Sequence, residues 1–135
     1  MERTITVVTD VKDLSDLLNG SSVDQARLVP NGGRLELVLE LTRAMIERQT
    51  VVRHGFIRRL KTPWITCRVV FKGIAAVTVK RVSDHTPDQV PLLACEAVKG
   101  GYQLTVQAPD GMQFVLDLEQ LDGAFSDIGS PIESP

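Results

Sequence analysis

The side chains best suited to chemistry in this sequence are basic and lie close together in one segment. Guanidinium and ammonium groups donate hydrogen bonds to phosphate and carboxylate, and an aromatic ring gives a nucleic-acid base a face for stacking. The segment therefore predicts a binding site for an anion or a partner. The alternative interpretation is a solvated loop between two strands, which is the commoner role of a basic cluster. The predicted site residues are Arg53, Arg58, Arg59, Lys61 and Trp64, with His54 and Phe56 beside them.

This cluster belongs to a longer basic stretch. Residues 43–81 contain ten basic residues and one acid, a formal charge of +9, whereas the other residues contain five bases and sixteen acids, or −11, giving the net charge of −2. Such segregation indicates an anion-binding face, an oppositely charged partner, or strands that pair with each other and neutralise part of the charge. The candidates for internal pairing are Arg68, Lys72, Lys80 and Arg81 on one side, and Glu36, Glu40, Asp117 and Glu119 on the other.

Nucleic acid is the less favoured partner for the basic cluster. The chain has only six aromatic residues, and it lacks the glycine-flanked aromatic signature of single-strand RNA binders. Its negative net charge also removes the general attraction of a basic domain to phosphate. We therefore expect a non-enzymatic domain that binds a protein partner or self-associates. An anion-binding module for nucleic acid or an acidic protein surface is the alternative.

A second polar segment, Ser83-Asp84-His85 followed by Asp88, gathers a hydroxyl, an imidazole and two carboxylates in sequence. A catalytic triad needs these groups to converge in space, whereas adjacent residues usually point apart. We interpret the segment as a surface loop. Weak cation binding through Asp84, His85 and Asp88 is the alternative.

The two cysteines, Cys67 and Cys95, show no spacing typical of a metal site. Each falls among apolar residues of the same alternation, which predicts buried structural thiols. The glycine pairs lack the lysine and the strand-loop-helix context of a phosphate-binding loop. We expect no catalytic residue, no metal and no cofactor. An enzyme whose site is assembled from dispersed residues remains as a further alternative.

Local patterns predict one helix near the N-terminus and strands elsewhere. Ile5 to Thr9 is rich in β-branched residues and predicts a strand. Asp10 then precedes apolar residues of helical spacing, and the pattern stops at Asn19-Gly20, which predicts a short amphipathic helix. The apolar residues of that helix are Val11, Leu14, Leu17 and Leu18.

After Gly20 the apolar residues alternate with polar ones, and turn residues separate the runs. Residues 23–29 and 34–42 predict a first hairpin, with Leu35, Leu37, Leu39 and Leu41 on one face. Residues 64–72 predict a second hairpin that reverses at Lys72-Gly73 into 74–82. Residues 102–108 and 112–118 predict a third across Pro109-Asp110-Gly111. Residues 92–98 form a further strand candidate, and residues 42–49 suit a helix or a strand equally.

Successive hairpins with one helix predict a mainly β fold, in which antiparallel hairpins form a partly open barrel or a sandwich with one short N-terminal helix. The chain length fits one domain, residues 1–128, followed by a flexible tail, residues 129–135. There is no signal-peptide pattern and no run of 18 apolar residues. We therefore expect a cytoplasmic protein without membrane contact.

Overall fold

A curled antiparallel sheet forms a half-barrel in the computed structural model, which is mainly β with one short helix. The structure describes residues 1–81 and 91–133. The predicted fold class is confirmed. The strands are β1 Glu2–Ile5, β2 Ser22–Asn31, β3 Arg34–Ala44, β4 Thr50–His54, β5 Ile57–Lys61, β6 Pro63–Arg81, β7 Leu93–Val98, β8 Gly101–Gln107, β9 Met112–Leu118 and β10 Gly123–Glu133; the helix α1 is Val8–Leu17, and short 3₁₀ turns occupy Ile46–Arg48 and Pro109–Gly111.

The eight-stranded sheet is organised around β6. Its neighbours run in the order β1, β10, β6, β9, β8, β7, and β3 also pairs with β6 while β2 pairs with β3. Strands β4 and β5 form a separate two-stranded sheet. The basic cluster is therefore carried by an element outside the main sheet.

The core lies on one face of the half-barrel. Alternate residues of each strand point to that face and pack together there. Helix α1 packs against β7 and contributes the buried side chains of Val11 and Leu14 to this core, with Leu18 directly after its end. The central members of the cluster are Leu37, Leu39 and Leu41 of β3, Cys67, Val69 and Phe71 of β6, Leu104, Val106, Leu116 and Leu118 of the C-terminal hairpin, and Val11, Leu14 and Leu18 of the N-terminal segment.

Two of the three predicted hairpins are confirmed. Strands β2 and β3 pair from Val23 opposite Leu41 to Asn31 opposite Arg34. Strands β8 and β9 pair with Tyr102 opposite Leu118, and Ala108 donates its backbone N–H to the Met112 carbonyl at 2.8 Å. Both hairpins reverse at residues that favour turns, Gly32-Gly33 and Pro109-Asp110-Gly111. Their strand pairing is therefore determined by the local sequence.

The predicted reversal at Lys72-Gly73 is wrong, because β6 continues through it for 19 residues. Gly73 has a φ of +71°, and the register shifts on both sides of it, between Ile74 and Ala76 toward β9 and between Leu35 and Leu37 toward β3. The glycine thus produces bulges, which bend a strand without ending it. Beyond this bend β6 leaves β10 and pairs with β9.

The N-terminal boundaries also differ from the prediction. The first strand ends at Ile5, and the helix begins at Val8, before Asp10. Asp10 therefore lies inside the first turn, where its carboxylate accepts backbone N–H bonds from Thr6 at 3.0 Å and Val7 at 3.2 Å. These bonds lower the pKa of Asp10, and they satisfy backbone N–H groups at the start of the helix, where the preceding residue Val7 is still extended.

Residues 129–133, predicted to begin the tail, carry the end of β10. Across an irregularity between Ile128 and Ile132, the strand resumes its pairing with Ile132 opposite Trp64. The undecided segment 42–49 contains the end of β3 and the 3₁₀ turn Ile46–Arg48. Residues 129–133 and 42–49 thus both lie near the start of β6. The two-stranded sheet of β4 and β5 directly precedes that point in the chain.

Candidate functional site

The basic cluster lies on a β-hairpin that we call the arm, residues 50–61, composed of β4, β5 and the turn Gly55-Phe56. The strands pair from Thr50 opposite Lys61 to His54 opposite Ile57. Gly55 has a φ of +62°, which suits the first position of a two-residue hairpin turn. The arm contains Arg53, Arg58, Arg59 and Lys61 and no acid, a charge of +4. The rest of the chain therefore carries −2 − 4 = −6.

The register of the arm separates its side chains into two faces, because residues directly opposite each other in an antiparallel pair share a face. One face, which we call the arginine face, carries Val51 opposite Leu60 and Arg53 opposite Arg58. The other face carries Val52 opposite Arg59 and His54 opposite Ile57. The predicted arginines are therefore divided between two surfaces.

The arm exposes apolar side chains that a stable domain normally buries. Phe56 at the tip is 107% exposed relative to its reference, Leu60 is 68% exposed and Ile57 is 66% exposed. An isolated two-stranded hairpin is at best marginally stable in water. Exposed apolar groups next to arginine are typical of protein interfaces, in which aromatic residues and arginine are enriched.

Arg53, Arg58 and Arg59 make no ion pair within residues 1–81 and 91–133. Arg53 and Arg58 are directly opposite each other, and like charges in that position repel. An anion placed between the two guanidinium groups would remove the repulsion and accept their hydrogen bonds.

Trp64, the remaining predicted site residue, lies at the start of β6 and is half-buried. It lines an open groove of about 580 Å³ together with residues of the arm. The arm residues in that lining are Val52, His54, Arg59, Leu60 and Lys61. Arg59, Lys61 and Trp64 therefore share one groove, whereas the register assigns Arg53 and Arg58 to the other face.

A buried ion-pair network lies beside the root of the arm. The Arg43 side chain is fully buried and donates from Nε and Nη2 to the Asp127 carboxylate at 2.9 and 2.8 Å. It also donates from Nη1 and Nη2 to the Glu47 carboxylate, both at 2.9 Å. The N-terminal amine of Met1 lies 3.2 Å from Oδ2 of Asp127. This network joins β3, β10 and the 3₁₀ turn that leads into the arm.

The network shifts the pKa of all three side chains toward their charged forms. Hydrogen bonds to Asp127 and Glu47 raise the pKa of Arg43, and the bonds from Arg43 lower the pKa of Glu47. Burial raises the pKa of Asp127, but the hydrogen bonds and charges of Arg43 and the N-terminal amine outweigh burial, so its pKa is lowered.

Arg43 was not among the predicted site residues, although its position in the alternation points to it. Leu37, Leu39 and Leu41 are buried on one face of β3, and Arg43 is the next residue of the same parity. An arginine that continues a buried face needs a carboxylate partner. The sequence signal was therefore present, but the identity of the partner depended on the placement of β10.

Internal pairing, one of the three interpretations that the sequence left open, neutralises part of the basic stretch. Arg68 lies opposite Glu40 across β3 and β6, with Nη2 3.0 Å from the Glu40 carboxylate. Glu119 instead pairs with Arg34, at 2.9 Å. Arg43 and Arg68 are therefore paired with carboxylates, whereas Arg53, Arg58 and Arg59 of the arm make no ion pair with the described residues.

The thiols have environments that suppress their reactivity. Burial raises the pKa of Cys67 to about 12, and burial also raises the pKa of Cys95. A nucleophilic cysteine needs the opposite shift, because the thiolate is the reactive form. Within the described residues, no group of three His, Cys, Asp or Glu side chains is placed to hold a metal ion. The polar segment 83–88 lies outside the described residues.

No family model matches this chain. Comparison with curated proteins finds no similar sequence, and comparison with solved structures finds no similar fold. Among the described residues, no helix is both long enough and apolar enough to cross a membrane.

Proposed function

We propose that this protein is a non-enzymatic binding domain whose arm binds an acidic protein surface. The observation that carries the proposal is the arginine face, in which two arginines that have no ion pair with the described residues lie opposite each other. Their mutual repulsion destabilises the free arm, and a carboxylate between them offsets it. Binding therefore supplies the anion that the described part of the chain does not.

The exposed apolar residues favour a protein partner over nucleic acid. Val51 and Leu60 share the arginine face, and Phe56 extends from the tip. A protein surface can bury these groups, whereas a phosphate backbone offers them nothing. The charge of −6 outside the arm also repels a long polyanion more than it repels a compact acidic patch.

The test compares three labelled ligands. Two are acidic polypeptides, poly(Glu,Tyr) and poly(Glu), and the third is a duplex DNA of about 20 base pairs, which represents nucleic acid. Fluorescence anisotropy is measured at low and moderate salt. We expect poly(Glu,Tyr) to bind more tightly than poly(Glu), because its rings contact the apolar part of the arm. Binding weakens as salt rises, because screening acts on exposed charges.

The decisive variant is Arg53→Gln with Arg58→Gln, which removes two charges from the arginine face. We expect about a tenfold loss of affinity for poly(Glu,Tyr), since charge-assisted hydrogen bonds are the strong ones. The matched control is Lys72→Gln with Lys99→Gln, two exposed lysines outside the arm. Equal losses in the two variants contradict the proposal, and so does DNA binding tighter than copolymer binding.

A further inference from the structure

The groove beside Trp64 has chemistry that differs from that of the arginine face. Its volume of about 580 Å³ lies within the usual range for small-molecule sites. One part of its lining is apolar and includes Val52 and Trp64. The other part carries the nitrogen groups of His54, Arg59 and Lys61.

Within the described part of the chain, the groove lining contains no carboxylate, and Arg59 has no ion pair there. A guanidinium group binds a carboxylate or phosphate through two parallel N–H bonds. An accessible face of an indole ring binds a planar ring by stacking, worth about 1–3 kcal/mol for a nucleic-acid base. The two groups together match a ligand that has a flat ring and an anionic end.

We propose that this groove binds a small planar aromatic anion, with the ring against Trp64 and the carboxylate or phosphate at Arg59. This site is separate from the polypeptide-binding role of the arm. The register places Arg59 on the face opposite to Arg53 and Arg58. Substitutions can therefore test the two proposals independently.

Trp64 is the only tryptophan of the chain, so its fluorescence and its single indole N–H resonance report directly on the groove. The probes are adenosine monophosphate, phenyl phosphate and benzoate, with adenosine and inorganic phosphate as half-ligands. We expect at least one aromatic anion to give a saturable change with a Kd of about 1 mM or tighter. Adenosine and phosphate alone bind at least about tenfold more weakly, because each lacks one of the two contacts.

The phosphate and carboxylate probes identify which anion the site prefers, and a saturable response to either supports the proposal. Arg59→Gln is expected to raise the Kd about tenfold, through loss of the charge-assisted bonds. The matched control, Arg53→Gln, leaves the Kd unchanged. Circular dichroism confirms that both exposed variants remain folded.

Three results overturn the proposal: no saturable change with any aromatic anion at 10 mM (about tenfold above the expected Kd), equal loss in Arg59→Gln and Arg53→Gln, or a half-ligand that binds as tightly as the whole. Failure here leaves the arginine face untouched, because its copolymer binding is measured on a different variant. The double variant Arg53→Gln with Arg58→Gln gives the converse test. It is expected to lose copolymer binding and to keep its response to the aromatic anion, which would show that the two sites are independent.

Discussion

Arg43 is fully buried and charged, so the oxygen atoms around it decide whether it stabilises the fold. Asp127 and Glu47 each accept two hydrogen bonds from its guanidinium group. A buried ion pair contributes little compared with an apolar pair, but removing one partner leaves a buried charge without compensation. The loss expected from a single substitution is therefore large.

Arg43→Met is expected to lower the free energy of unfolding by about 3 kcal/mol or more, because the buried Asp127 loses its partner. Arg68→Met is the matched control, since its ion pair with Glu40 is exposed and worth about 1 kcal/mol at most. Urea unfolding monitored by circular dichroism measures both. Equal losses would show that the burial of Arg43 has no energetic role.

The same network predicts a dependence of stability on pH. The pKa of Asp127 and the pKa of Glu47 are lowered in the folded state. Their stabilisation is therefore fully present above the unfolded values, near pH 4, and is lost as the pH falls through the folded values. Unfolding free energies between pH 7 and pH 2 are expected to fall in the acid range, and Asp127→Asn is expected to reduce that slope. An unchanged slope contradicts the role of Asp127.

The strand β6 depends on a glycine conformation that other residues adopt with strain. Gly73 has a φ of +71°, and a Cβ added there would meet no heavy atom within 4 Å. The cost of a side chain is therefore confined to the backbone. Gly73→Ala is expected to destabilise the fold by about 1–2 kcal/mol, and Gly73→Asn less, because asparagine tolerates this region. Thermal and urea unfolding measure the loss of stability in each variant. A larger loss for Gly73→Asn than for Gly73→Ala would contradict this explanation.

The arm is structurally separate from the sheet that carries it. The Met45 backbone N–H donates to the Pro63 carbonyl at 2.8 Å, and the Gln49 side chain donates to the Thr62 hydroxyl at 2.7 Å. These two hydrogen bonds hold the chain segments on either side of the arm together, and neither involves residues 50–61. Replacing 50–61 with a short Gly-Ser turn is expected to change the unfolding free energy by less than about 1 kcal/mol, in the range of surface changes. A loss of several kcal/mol would assign the arm a role in the fold.

The elements that the sequence predicted well are those decided locally. Pro109-Asp110-Gly111 specifies its turn whatever surrounds it, so the β8–β9 register followed from alternation. Lys72-Gly73 permits either a reversal or a bulge, and distant strands select the bulge. The basic segment was found from charge alone, but its division into two faces depended on the register of the arm, which the uneven alternation of residues 50–61 did not specify.

The charge distribution of the whole molecule combines a +4 arm with a remainder of −6. A second copy of the chain is itself an acidic surface, so the proposed arm chemistry extends to weak self-association. Light scattering at low ionic strength is expected to give a mean molar mass above 14.8 kDa that falls to the monomer value at about 0.5 M salt, where the screening length is a few ångströms.

The control for this expectation repeats the earlier pair of variants. Arg53→Gln with Arg58→Gln should remain monomeric at low salt, whereas Lys72→Gln with Lys99→Gln should associate like the parent protein. A molar mass that is independent of salt, or association that persists in the arm variant, contradicts charge-driven contact through the arm.

The central position of β6 has a consequence for synthesis on the ribosome. Residues 63–71 pair on one side with β10, whose last residue is Glu133. At about 5–20 residues per second, β10 is completed about 3–10 s after residue 81 is made. During that interval the β10 side of the longest strand has no native partner. Unpaired strand edges are prone to pair with other chains, so translation speed and chaperone access should govern the yield of folded protein.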